Sequence, residues 1–152
     1  MAMNTEIPDD RELMPTERSL ISWLLQHGYD GASDFLPQLN DTRVTSRCYC
    51  GCASINFAIN DKVPGIGPGI KVLSDYEWLD SDGHLFGVFV FARSGLLAGL
   101  EIWSQDLLAT ANTLPQVEQL RPIESAAKPV SDANVRSLIS AGCVTLVVSA
   151  NP

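Results

Sequence analysis

Residues 85–103, Leu-Phe-Gly-Val-Phe-Val-Phe-Ala-Arg-Ser-Gly-Leu-Leu-Ala-Gly-Leu-Glu-Ile-Trp, form the longest apolar stretch of the chain, broken once at Arg93-Ser94-Gly95. Glycine reaches positive φ without a Cβ clash, so Ser94-Gly95 supplies a turn. The flanking Phe, Val, Leu, Ile and Trp predict a β-hairpin. A two-residue loop pairs Arg93 with Leu96, Phe91 with Ala98, Phe89 with Leu100 and Gly87 with Ile102. The other face then carries Phe86, Val88, Val90, Ala92, Leu97, Gly99, Glu101 and Trp103. Both faces are apolar, which predicts a central hairpin covered on both sides. A loop one residue longer requires a bulge to keep this facing.

Upstream, Val72–Leu79 reads as a strand, and Asp80-Ser81-Asp82-Gly83 is turn chemistry favouring a tight hairpin. Together with the central hairpin this gives a three-stranded meander. That turn lacks the remaining ligands of a calcium loop. Asn60–Gly69 is a Gly- and Pro-rich loop. Its glycines precede Lys71, but the spacing, the absence of Ser or Thr after the lysine, and Pro68 all argue against a phosphate loop. Further back, Arg43–Ile59 carries Val44, Ser46, Cys48 and Cys50 on one parity and Ile55, Phe57 and Ile59 on the other. A straight strand cannot turn both sets inward, so a bulge or sharp bend near Gly51, or two strands joined there, is expected.

The N-terminal part is helical. Leu20, Trp23, Leu24 and His27 recur at helical spacing, widened by Ile21 and Leu25. Thr16 is the expected N-cap and Gly28 the left-handed C-cap, giving an amphipathic helix over 17–27. His27 is expected to cap the helix C-terminus. Ser33–Leu39 adds at most one turn, because Pro37 opposes more. Residues 1–14 are polar and expected to be loose or tied down late. Beyond Trp103, a polar connection leads to a short helix with Val135, Leu138 and Ile139, and then to a strand, Cys143–Ser149. The predicted fold is α+β: an antiparallel β-meander sheet, an N-terminal amphipathic helix packed on one face, and a short C-terminal helix-strand unit. The 152 residues form one domain, with residues 123–152 a candidate C-terminal extension.

A net charge of −8 speaks against a nucleic-acid partner, since phosphate contacts need clustered Lys and Arg. It is compatible with a basic protein partner. No run reaches the roughly 18 apolar residues of a membrane helix, and the N-terminus lacks a secretory pattern. Four cysteines in that context imply reduced thiols and a cytoplasmic location, as a monomer or homodimer.

Cys48-Tyr49-Cys50-Gly51-Cys52, with the distant Cys143, is the most pointed feature. Thiolates suit zinc or another soft ion, so Cys48, Cys50, Cys52 and Cys143 are candidate metal ligands. Alternate cysteines on an extended strand stand about 6–7 Å apart, which is wide for one ion, but a bend at Gly51 closes that gap. Thiol redox chemistry is a second reading, with Arg47 the one nearby cation. Packing of the cysteines as small hydrophobes is the third. No cofactor other than zinc is suggested.

Glu101 lies mid-strand in a covered hairpin, where a carboxylate must be paired or protonated. Gly87 and Gly99 leave space beside it, so Glu101 and Arg47 are candidate binding residues. The simpler expectation is an ion pair from Glu101 to Arg43 or Arg47, or exposure at a sheet margin. Pairing would make Glu101→Gln destabilising, and a sealed apolar environment would remove an acid/base role for Glu101. No nucleophile motif, metal-spaced histidine pair or dinucleotide fingerprint is present.

Arg47-Cys48-Tyr49-Cys50-Gly51-Cys52-Ala53-Ser54-Ile55, followed by Gly95-Leu96 and Leu100-Glu101-Ile102-Trp103, resembles a group of small, uncharacterised bacterial proteins. These carry a C-x-C-G-C-x-S-I segment and then a strand pair with a G-L…L-E-hydrophobic-aromatic signature, after an amphipathic N-terminal helix. The resemblance spans roughly residues 15–120 and leaves the tail outside. Some such proteins look like immunity or accessory factors of toxin loci. The resemblance implies a non-enzymatic cytoplasmic binding or immunity-like protein acting on a protein partner. The cysteine segment supplies the alternative, a cysteine-dependent metal-binding or thiol-redox protein.

Overall fold

A computed structural model describes residues 6–64 and 69–123. Their strands are β1 (Glu6–Glu12), β2 (Thr42–Cys48), β3 (Ile55–Ile59), β4 (Ile70–Leu79), β5 (Leu85–Arg93), β6 (Leu96–Ser104) and β7 (Arg121–Pro122), with one α-helix, α1 (Pro15–Gln26). The strands form a single sheet in the order β1-β2-β3-β6-β5-β4-β7, antiparallel at every pairing. The fold is mixed α+β around an antiparallel sheet. The meander β4-β5-β6 is present, and β5 and β6 are central and buried almost throughout. The C-terminal helix-strand unit expected from Val135 to Ser149 lies outside the described residues.

The register of the central hairpin differs from the simple two-residue-loop pairing. Arg93 faces Leu96 and Ala92 faces Leu97, but then Phe91 faces Gly99, Phe89 faces Glu101 and Gly87 faces Trp103. Ala98 is the extra residue of a bulge, and it moves the rest of β6 by one position. The loop needs no third residue, because the slip occurs inside the ladder. As a result Val88, Val90, Leu100 and Ile102 join one core with Leu20, Ile21, Leu24 and Leu25 of α1. Phe89, Phe91 and Ala98 face the other way, with Ile70, Val72 and Trp103. The space left by the two strand glycines is filled: a Cβ on Gly87 would run into the Trp103 indole, and one on Gly99 into the Phe91 ring and the Ile55 carbonyl. No pocket forms beside Glu101 from this source.

Residues 6–12 are a strand, not a loose segment. Glu6–Glu12 pairs with β2 at the sheet edge, where charge and Pro8 suit an unshared flank. Helix α1 starts at Pro15, whose missing N–H costs nothing at the first position. Its N-cap is Met14, not Thr16. Glu17 closes the end: its carboxylate accepts the Met14 N–H at 2.8 Å and two Arg11 N–H groups at 2.9 Å each. Glu17 is buried while Arg11 is partly exposed, so Arg11→Met strands a buried carboxylate. The expected cost is about 2 kcal/mol, read as a lower denaturant midpoint, and an unchanged midpoint would contradict this account of the helix start.

At the other end, His27 Nδ1 bonds the Trp23 carbonyl oxygen at 2.9 Å and the ring stacks on Trp23, which is the expected capping role. Gly28 does not have positive φ. Its hydrogen makes room for the Leu73 carbonyl of β4, and the neighbouring Tyr29 N–H donates to that oxygen at 2.8 Å. Ala32–Asp41 is one long 3₁₀ segment running through Pro37, where a single turn was expected. Outside contacts hold it: Arg18 donates to the Leu39 carbonyl, and the Gln38 amide bonds both Gly95 O and Leu97 N at the hairpin tip.

Candidate metal centre

β2 and β3 are separate strands joined by the turn 49–54, and Gly51 in that turn has φ +88°. Only glycine adopts that conformation cheaply. The reversal folds the cysteine segment onto itself, and the Sγ atoms of Cys48, Cys50 and Cys52 all lie within 4.8 Å of one another. Cys48 Sγ and Cys50 Sγ are 2.8 Å apart. The wide spacing of an extended strand is therefore closed, as the bend at Gly51 allows. Cys143 lies outside the described residues.

Several contacts hold the turn. Cys50 N–H and Cys52 N–H donate to the sulfurs of Cys48 and Cys50, each at 3.4 Å. Ala53 N–H donates to Ala111 O at 2.8 Å, and Cys48 N–H to Ser54 O at 3.3 Å. Cys52 Sγ donates to Ser54 Oγ at 3.3 Å. Ser54 Oγ is in turn fixed on β6, donating to Ile102 O and accepting from Ile102 N. Cys48 and Cys52 are buried and Cys50 is half-buried. Hydrogen bonding to Cys48 holds the Cys52 thiol low, at about 5, against the opposing effect of burial. The same bond, with burial, pushes Cys48 up. Cys52 is thus the first of the three to ionise, and the backbone N–H groups aimed at sulfur favour thiolate.

Glu101 stands behind this turn. It is 1% exposed, and one carboxyl oxygen has no hydrogen-bond partner. Burial drives its carboxyl well above the usual range, Ser54 opposes through a hydrogen bond, and Cys52 and Glu6 add repulsion. The expected ion pair is not formed: Arg43 pairs with Asp10 at 3.2 Å and Arg47 is exposed. The bulge at Ala98 is the reason, since it places Glu101 on the face of Phe89. So sealed a carboxyl is a neutral structural group, not an acid/base catalyst. Glu101→Gln, nearly isosteric with a protonated acid, is expected to change stability at pH 7 by less than about 1 kcal/mol, reversing the destabilisation that a salt bridge would imply. A drop of several kcal/mol on chemical denaturation would show that Glu101 is charged and paired.

The structure brings together Cys48, Cys50 and Cys52, with Glu101 one residue removed through Ser54, and leaves Arg47 on the outer side. Ser54 was the site residue that chemistry alone did not single out. Its signal was its place in the C-x-C-G-C-x-S-I segment. A second polar knot, Glu6 with Ser46 and Asn56, had no sequence signal, because it depends on β1 docking at the edge. Among the described residues no helix is long and apolar enough to cross a membrane. Comparison with protein-family models, with curated proteins and with solved structures found no match for this chain.

Proposed function

We propose that this protein is a cysteine-dependent metal-binding protein that holds one soft ion at Cys48, Cys50 and Cys52. The observation that carries the reading is the convergence of three sulfurs within 4.8 Å on a glycine-built turn. A Zn–S bond of about 2.3 Å puts tetrahedral ligands about 3.8 Å apart. Cys48 and Cys50, closer than that at 2.8 Å, need only open slightly. Three thiolates favour zinc or Cu(I) over hard cations, and reduced cytoplasm keeps them available. Native mass spectrometry of the protein isolated from its own cells under reducing conditions tests the reading. One extra metal mass, lost in Cys50→Ser, is the expected result; the bare chain in the presence of added zinc would overturn it.

A second reading keeps the immunity-like role, a non-enzymatic cytoplasmic protein acting on a protein partner. Its support is an exposed apolar group beside the cysteine turn, with Tyr49, Leu107 and Leu108 each at least 70% exposed. Leu107 also takes φ +61°, a conformation a branched side chain adopts only at a cost. A stoichiometric protein companion lost in Leu107→Ser/Leu108→Ser supports it, and isolation without a companion counts against it.

A further inference from the structure

A cavity of about 710 Å³ opens beside the cysteine turn. Its walls are the N-terminal turn of α1, the stretch Cys52–Ile55 and residues 112–118. The volume lies in the range of small-molecule sites, and most of the lining is apolar, from Met14, Pro15, Leu20, Ile55, Leu114 and Val117. Four charged side chains line it: Arg11, Glu17, Arg47 and Glu118. Arg11 and Glu17 are consumed by each other. Arg47 has no hydrogen bond or ion pair among the described residues, and Glu118 is exposed. The cavity therefore offers one uncommitted guanidinium next to a wall that contains a cysteine of the three-sulfur cluster.

Metal sites with three protein ligands keep a fourth position for an exogenous group, whereas closed structural sites use four. Among the described residues the cluster contains three sulfurs and no fourth His, Cys, Asp or Glu ligand. We infer that the fourth position of the Cys48–Cys50–Cys52 centre faces this cavity and takes a small anionic thiol, whose sulfur binds the ion while its carboxylate pairs with Arg47. The inference rests on the metal-binding reading. The entering thiol loses its proton to solvent, its sulfur replaces a water on the metal, and no electron is transferred. A thiol fits this position better than a carboxylate alone, because a soft ion already held by thiolates prefers a further sulfur. The apolar wall suits the short carbon chain between the two ends, and Arg47 supplies the fork that a carboxylate matches.

The full-length protein loaded with Co(II), as a spectroscopic stand-in for zinc, tests this. Titration with 3-mercaptopropionate is compared with 2-mercaptoethanol, which has the same thiol and no charge. The expected result is a change in the cobalt bands at a concentration at least tenfold lower for the anionic thiol, and loss of that preference in Arg47→Gln. Equal half-points for the two thiols in the parent protein would overturn the inference. So would a cobalt spectrum already showing four sulfurs before any thiol is added, one of them lost in Cys143→Ser. That pattern closes the site with a ligand from the chain itself and leaves the metal reading intact. Failure of cobalt to bind at all would instead remove the metal reading, and with it this inference.

Discussion

Asp75→Asn is expected to stabilise the protein at pH 8 and to leave it unchanged near pH 4. Asp75 sits in β4 opposite Phe89, is 9% exposed, and has a carboxyl oxygen without a hydrogen-bond partner. Burial, aided by the nearby Glu77 charge, pushes its carboxyl up to about 7. The group is then protonated in the fold over a range where the unfolded chain has already ionised. Between about pH 4 and pH 7 the unfolded state binds fewer protons than the native state, so stability falls as pH rises and levels off above 7. Each pH unit of that window costs about 1.4 kcal/mol, which sets a ceiling of roughly 4 kcal/mol. Asparagine keeps the shape and does not titrate, so its contribution is flat. Parallel denaturant titrations at pH 4 and pH 8 check this. A variant that gains nothing at pH 8 would show that Asp75 is charged and solvated.

Gly28→Ala carries the second large effect, expected as a loss of about 3 kcal/mol. If Gly28 were a left-handed helix cap, asparagine would replace it with little penalty. The structure gives a different reason for glycine. A Cβ at this position would press into the Leu73 carbonyl oxygen and approach the Ala32 Cβ to 2.7 Å. Both are parts of the main packing, not the ends of flexible side chains. The junction that carries Tyr29 onto β4 must move apart, and the Tyr29 N–H to Leu73 O bond weakens with it. Gly28→Ala and Gly28→Asn should both lower the denaturant midpoint, the larger side chain more. Tolerance of asparagine alone would restore the cap explanation.

These two positions show where the sequence could be read and where it could not. The hairpin of residues 85–103, the Asp80–Gly83 turn and the break at Gly51 were legible, because turn chemistry and apolar runs are local signals. The bulge at Ala98 was not. Nothing within β6 distinguishes Ala98 from Gly99 as the extra residue, and the choice rests on the Phe91 ring lying where a Gly99 side chain would be. That one slip moved Glu101 to the face of Phe89 and cancelled the arginine pairing expected for it. Strand β1 was hidden for another reason: Glu-Ile-Pro-Asp-Asp-Arg-Glu has no apolar alternation, and its place comes from the open edge of β2. The cysteine motif lay in plain view, but its geometry depended on how tightly the Gly51 turn closes. Spacing along the chain does not report that.

The claim on which the account turns is that three sulfurs of one turn hold one ion. X-ray absorption at the zinc edge, on full-length protein loaded with one equivalent of zinc under reducing conditions, addresses it directly. At least three sulfur neighbours at about 2.3 Å, falling by one in Cys50→Ser, is the predicted result. A first shell of oxygen and nitrogen alone, unchanged in that variant, would contradict it.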